Sequence, residues 1–244
     1  MSRPSGKLFG WVLASLAIAL FCGLGFWQLD RGKQKEAMLA EAKKTLSERR
    51  PLALSAAADP ARAAAYDWVQ GAGRFTSAPA VLLDNQTRDG RPGIRVFRVF
   101  QPDSGSPPLL VELGWLPLPG DRRLPALAPQ PDMRQVAGLL APPPSAGIAA
   151  AIAAPQADGS LLATSLDHAV LSSVLKLPML ARRVLKLDPA LRIGYARDLD
   201  ILPNTLPPER HLGYAVQWFG LALTVLITAL VLTLRKRGRR SQAA

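Results

Sequence analysis

Few residues in this chain are equipped for chemistry: two histidines, His168 and His211, and one cysteine, Cys22. One cysteine excludes a disulfide scaffold, a Cys-held iron–sulfur cluster and a Cys-rich zinc site, and two histidines exclude a three-His catalytic metal centre. A Ser–His–Asp hydrolase needs its nucleophile on a strained elbow, and no G-x-S-x-G occurs. His168 follows Asp167, but sequence neighbours on one element do not face each other, so it reads as an ordinary surface or loop histidine. Asp84, Asp89 and Glu112 are carboxylates suited to acid–base work, yet nothing in the sequence brings two of them together. No phosphate-cradling Gly loop is present. These features argue against a conventional enzyme.

His211 stands in different company. Arg210, Tyr214, Gln217 and Trp218 flank it, and His211, Tyr214 and Trp218 fall at i, i+3 and i+7, one helical face. A second group, Trp27, Gln28 and Arg31, has the same character, with Trp27 and Arg31 at i, i+4 and Gln28 and Arg31 at i, i+3. A neutral imidazole in a partly apolar setting is a good axial ligand for haem iron. Arginine beside it could pair with haem propionates, and tryptophan or tyrosine could stack on the macrocycle. The competing reading is an aromatic belt with snorkelling arginines at a membrane surface. That belt accounts for Trp27, Trp218, Tyr214 and Arg31, and less well for His211, Gln28 and Gln217, because polar groups that face protein at a membrane boundary need partners. Position alone leaves both readings open.

Both groups sit at the end of an apolar run. Residues 8–29 are 22 positions without a charge and residues 212–234 are 23 more. Each is long enough to cross a hydrocarbon core, which takes about 20 helical residues. A cleaved signal peptide would have a shorter apolar part and a small-residue cleavage site, which the Trp27-Gln28-Leu29-Asp30-Arg31 end lacks. Phe21 before Cys22 is too bulky for a lipoprotein-type cysteine.

Orientation follows from the flanks. Arg235, Lys236, Arg237, Arg239 and Arg240 put residues 235–244 in the cytoplasm. With two spans, residues 1–7, which carry Arg3 and Lys7, lie on the same side and residues 30–211 face the periplasm. Arg31, Lys33 and Lys35 pull the other way, but long loops translocate largely regardless of charge. The formal charge of +12 then resolves itself. Seven of the 30 basic residues belong to the two ends, leaving 23 against 18 acidic residues in the middle, without a basic stripe of interleaved aromatics. The expected partner is a lipid bilayer, and nucleic acid is not one.

Between the spans, residues 30–50 read as a helical extension, with Met38, Ala42 and Leu46 at i, i+4, i+8 and a stop at Pro51. An Ala-rich stretch to Ala65 carries little information. Residues 66–200 then read as a mainly β core. Strands are expected over 66–75, 80–84, 94–100, 109–116, 134–140, 161–167, 184–187 and 193–195, with a helix over 168–175 and turns rich in Gly and Pro between them. Residues 142–157, opening on three prolines, read as a flexible excursion. The expected fold class is an α+β membrane protein: two transmembrane helices flanking a mainly antiparallel, barrel-like extracytoplasmic domain.

Four blocks carry a family resemblance. The stretch Leu24-Gly25-Phe26-Trp27-Gln28-Leu29-Asp30-Arg31-Gly32-Lys33-Gln34-Lys35 resembles the first signature of the surfeit locus protein family. Asp84-Asn85-Gln86-Thr87 through Gly90-Arg91-Pro92-Gly93-Ile94 resembles its segment leading into the central strands. Val111-Glu112-Leu113-Gly114-Trp115-Leu116-Pro117 is similar to its V-x-R-G-W-V-P block, with Leu113 where the family usually has arginine. His211-Leu212-Gly213-Tyr214-Ala215-Val216-Gln217-Trp218-Phe219 is similar to its H-x-x-Y-A-x-Q-W-F block. The resemblance implies two spans around a periplasmic or intermembrane-space domain and a role in maturing the haem-containing subunit of cytochrome c oxidase. In bacterial members it implies haem a binding through a histidine matching His211.

On that resemblance the expected function is an assembly factor, not a catalyst. It would bind haem a through His211 and assist its insertion into subunit I, with haem a synthase a further partner. The alternative is a cofactor-free membrane scaffold that holds oxidase subunits. Copper handling is not expected, because Cys22 lies in the membrane and no Cys/His/Met cluster faces the outer space. Seven residues before the first span leave no room for a mitochondrial transit segment, which points to a bacterial inner membrane.

Overall fold

In the computed structural model, which describes residues 5–144, 150–201 and 206–241, the first apolar run and the helix formers after it make one helix, α1 (Ser5–Glu48). Arg3 and residues 145–149 of the Ala-rich excursion lie outside the described residues, as do the side chains of Lys7, Lys236, Arg237, Arg239 and Arg240. The second apolar run lies in α3 (Pro208–Ser241). The chain divides into two units, Met1–Met38 with Leu206–Ala244, and Leu39–Thr205.

Among the described residues, two helices are long and apolar enough to cross a membrane, Leu8–Glu48 and Pro208–Arg235, and their apolar parts lie in the first unit. Many of their large apolar side chains, including Leu13, Leu16, Leu20, Leu223 and Leu232, are exposed, so the protein itself supplies them no cover. The helices meet along small residues. A Cβ at Gly25 would lie 2.7 Å from the Phe219 ring, so only glycine admits that ring here without a shift. Phe21 stacks on Trp218 with centroids 5.7 Å apart, Phe26 meets Phe219 edge-on at 5.3 Å, and Trp11 Nε1 donates to Thr233 Oγ1 at 3.2 Å. Gly10, Ala14, Ala17, Thr224 and Thr228 are among the residues lining an apolar groove of about 370 Å³.

In the second unit, the last turns of α1 are held by the domain's backbone. Thr45 Oγ1 donates to the Tyr66 carbonyl at 2.9 Å, the Tyr66 N–H donates to Glu41, and Ala42 and Leu46 pack with Tyr66, Leu139 and Ala141. Arg49, in the left-handed region at φ 44°, ends the helix, donates its N–H to the Thr45 carbonyl and precedes Pro51 by two residues. Its guanidinium lies 4.4 Å above the Trp68 ring and 3.1 Å from Asp188.

Eight strands follow: β1 (Asp67–Phe75), β2 (Val81–Arg88), β3 (Arg91–Pro102), β4 (Leu109–Pro117), β5 (Gln135–Ala141), β6 (Ala153–Pro155), β7 (Leu161–Ala163) and β8 (Val184–Leu187), with α2 (His168–Val174) before the last. They form one sheet in the order β1-β5-β8-β4-β3-β2-β7-β6, and β1 also pairs with β3, so the pairings β1–β5–β8–β4–β3–β1 return to their start. All are antiparallel except β4–β8 and β2–β7. Asp89 and Gly90, both at positive φ, make the two-residue turn that joins β2 to β3, with Arg88 opposite Arg91. One apolar cluster gathers Phe75, Phe100, Val111, Leu113, Leu140, Leu185 and Leu187. On the alternate positions of the same strands, Phe97, Val99, Leu110 and Val184 pack with β7 and with Leu171 of α2. Strands covered on both faces lose the alternation of a half-buried strand, and β3 and β4 are accordingly buried along most of their length.

Among the described residues of the second unit, buried charge gathers in two clusters. Arg183, with no exposed surface, donates through Nη2 to Asp67 at 2.8 Å and to the carbonyls of Ala65 and Leu140, while Arg62 bonds Asp67 from the other side. Glu112 accepts from Arg95 on one oxygen and from Lys186 at 3.1 Å on the other.

Three expectations need correction. Residues 193–195 are not a strand: Gly194 turns at φ +74°, and the segment bonds to β4 only through Tyr195 N–H to Leu113 and an isolated bridge at Ala196. The excursion 142–157 contains β6, a three-residue edge strand on β7 that its Ala-rich composition conceals. The strand expected over 161–167 stops at Ala163, after which Asp167 caps α2 by accepting from the Val170 N–H at 2.9 Å.

Candidate functional site

On α1, Gln28, Gly32 and Lys35 fall at i, i+4 and i+7 and share the face that meets the start of α3. Among the described residues of α3, Pro208, His211, Ala215 and Ala222 are buried. Gly32 faces the start of α3: a Cβ there would stand in ordinary van der Waals contact, 3.4 Å from the His211 Cβ and 3.6 Å from the Pro208 carbonyl oxygen. Lys35 Nζ donates to the Leu206 carbonyl, which ties the chain just ahead of α3 to α1. These contacts leave His211 only 7% exposed at the head of an apolar helix.

Among the described residues the imidazole has one hydrogen-bond partner. Its Nδ1 lies 2.6 Å from Gln28 Oε1, an atom that can only accept, so Nδ1 carries the proton and Nε2 the lone pair. Nε2 is buried and has no hydrogen-bond partner among the described residues. Burial, and then the positive charges of Lys35 and Arg31, hold the ring below the usual histidine range, so near neutral pH it is uncharged. A neutral, oriented imidazole with a free nitrogen is chemically a ligand.

The other expected site residues are placed less closely. Trp218, half-buried, stacks on Phe21. Arg31 is exposed and donates to Gln34, which in turn donates to Asp30. Trp27, Arg210, Tyr214 and Gln217 are exposed, and none of them bonds His211. Thus the face shared by His211, Tyr214 and Trp218 is brought only partly against α1, and the face of Trp27 and Arg31 lies beside the one that α3 uses. Gly32 and Lys35 are the residues that sequence reasoning missed. Their i, i+4, i+7 spacing from Gln28 was the available signal, masked because a lysine does not read as an interior residue.

The two middle blocks of the resemblance also meet. Trp115 Nε1 donates to the Gln86 carbonyl at 2.9 Å, its ring lies where a side chain on Gly93 would have to go, and the Arg91 guanidinium sits 5.9 Å above that ring. Asp84 pairs with Arg122 at 2.7 Å, and Glu112 is enclosed by two cations, Arg95 and Lys186. Leu113 is buried in the apolar cluster, where it packs with Ile193 and Tyr195, and it brings no charge into that space. His168 opens α2 half-buried, its Nε2 bonded to the Leu180 carbonyl. It is a structural residue of the domain.

Comparison with known proteins adds the family. No curated protein matches the chain. The model of the SURF1 family matches residues 15–223, a span that takes in Gln28, the whole sheet and His211. The chain therefore belongs to the SURF1 family, which is associated with the assembly of cytochrome c oxidase.

Proposed function

We propose that this protein is a membrane-anchored assembly factor that holds haem a through His211 and passes it to subunit I of cytochrome c oxidase. The observation that carries the proposal is the buried Nε2 of His211, which has a lone pair and no partner among the described residues while Nδ1 is occupied by Gln28. A buried polar atom left unpaired costs free energy, so a ligand that takes it up is favoured. The donor set fits one axial position of a haem iron: a neutral imidazole, with Arg31 and Arg210 exposed nearby in sequence for propionates and Trp27, Tyr214 and Trp218 for the macrocycle. Bound haem a would be cargo, and its redox chemistry belongs to the oxidase. What the chain contributes is an oriented ligand in a site of low water access. We count the protein as a carrier and not a catalyst.

The exposed apolar surface of α1 and α3 supports two membrane spans, 8–29 and 212–234. The basic residues at 235–240 support a bacterial inner-membrane topology with both termini cytoplasmic and residues 30–211 periplasmic. There the closed circuit of strand pairings would form a barrel-like body facing the oxidase and haem a synthase. The test is purification from cells that make haem a. A Soret band in the wild-type protein that is lost in His211→Ala supports carriage, whereas colourless wild-type protein leaves only the scaffold that holds subunits without a cofactor.

A further inference from the structure

The bond from His211 Nδ1 to Gln28 Oε1 does more than orient a ring. The outer-sphere partner of a metal-binding histidine fixes which nitrogen is free and sets how strongly that nitrogen donates. A carboxylate at that place pulls on the Nδ1 proton, gives the ring imidazolate character and strengthens its hold on ferric iron. An amide carbonyl fixes the same tautomer while pulling far less. Here the partner is an amide, at 2.6 Å, on the turn of α1 that precedes Gly32. The charged groups that bear on His211, Lys35 and Arg31, are both cations, and the acids nearest the pair in sequence, Asp30, Glu36 and Glu209, are exposed, with Asp30 engaged by Gln34.

Resting on the carrier reading above, we infer that Gln28 is the positioning residue of the site: it holds His211 as the Nδ1–H tautomer and, being an amide, keeps it a weak enough ligand to surrender its haem. A cargo site must bind and also release. Replacing the amide by a carboxylate shifts that balance toward retention, and removing the acceptor frees the ring to change tautomer and spoils both.

Two measurements on the full chain in detergent micelles separate this inference from the carrier reading. Nitrogen-15 NMR of the haem-free protein, with histidine labelled, reports the tautomer directly. The wild type should show a protonated Nδ1 and a bare Nε2, and Gln28→Leu should show a mixed or reversed tautomer. A wild-type Nε2 that carries the proton overturns the inference whether or not haem is ever bound. The second uses haem-loaded protein and an excess of a haem-scavenging apoprotein. Gln28→Leu should weaken haem affinity by roughly 10-fold to 100-fold, the range seen when outer-sphere partners of metal ligands are lost. Gln28→Glu should bind, release haem at least about 10-fold more slowly and shift the haem midpoint potential to more negative values. If Gln28→Glu releases haem at the wild-type rate with an unchanged potential, the amide has no tuning role. Should Gln28→Leu fail to fold, Gln28→Glu together with the wild-type tautomer still decides. Wild-type protein that binds no haem while showing the expected tautomer removes the carrier reading and the tuning role, and leaves Gln28 as a positioning residue alone.

Discussion

Replacing Arg183 by alanine should destabilise the sheet domain far more than replacing Arg62, although both arginines bond the same carboxylate. Arg183 has no exposed surface and spends its Nη atoms on Asp67 and on the carbonyls of Ala56, Ala65 and Leu140, which stitches the Ala-rich stretch to β1 and β5. Its loss empties a large side-chain volume, leaves carbonyls short of a donor and halves the positive charge on a buried Asp67. Breaking a buried ion pair by removing one partner costs about 3–5 kcal/mol. Because Arg62 still bonds Asp67, the lower end applies, so Arg183→Ala should cost about 3 kcal/mol. Arg62 holds the other side from a side chain that is 42% exposed, and solvent screening limits Arg62→Ala to about 0.5–1 kcal/mol. Hydrogen exchange read by mass spectrometry on the full chain in detergent, over peptides covering β1, β5 and β8, measures both. Costs that are equal, or an Arg183→Ala loss below about 1 kcal/mol, would refute the assignment of Arg183 as the buried pin.

Three further outcomes follow. Burial acts to raise the Asp67 pKa, but the hydrogen bonds and charges of Arg62 and Arg183 outweigh it and leave the carboxyl below its ordinary value, so its contribution is present above the unfolded pKa of about 3.9 and lost as pH falls through the lower folded value. Acid titrations of stability should therefore be shallower in Asp67→Asn, and an unchanged slope contradicts this. Gly25→Val should weaken the α1–α3 pairing by roughly 1–3 kcal/mol because its side chain meets the Phe219 ring, while Gly23→Ala, with nothing within 4 Å of its Cβ, should be silent in thermal unfolding. A reporter active only outside the cytoplasm should work when inserted at Gly105, an exposed turn at φ +75°, and fail when fused after Ala244; the reverse pattern inverts the topology.

Much of the fold was legible because local chemistry marked it. Asp89-Gly90 fixes a tight hairpin by its conformational preference, and the charge-free runs mark α1 and α3 by length alone. What local pattern does not carry is partnership. The second pairing of β1, with β3, and the parallel pairings of β7 and β8 depend on which strands come together in space. Arg95, Glu112, Arg183 and Lys186 are buried because each meets an opposite charge from another part of the sheet, which no local pattern announces. The site divides in the same way. His211 and Gln28 stood out as polar residues at apolar boundaries, but they are 183 residues apart, and their bond could not be read from either helix alone. Trp27 and Arg31 were grouped with Gln28 by helical spacing, and spacing does not say which edge of a broad face the neighbouring helix will choose.

The most direct test of the account is transfer of haem a from purified, loaded protein to haem-free subunit I, followed by the optical signature of the oxidase. Wild-type protein should deliver its haem, and His211→Ala, folded to the same stability, should neither load nor deliver. Delivery by His211→Ala at the wild-type level would contradict the assignment of the His211 Nε2 as the atom that holds the cargo.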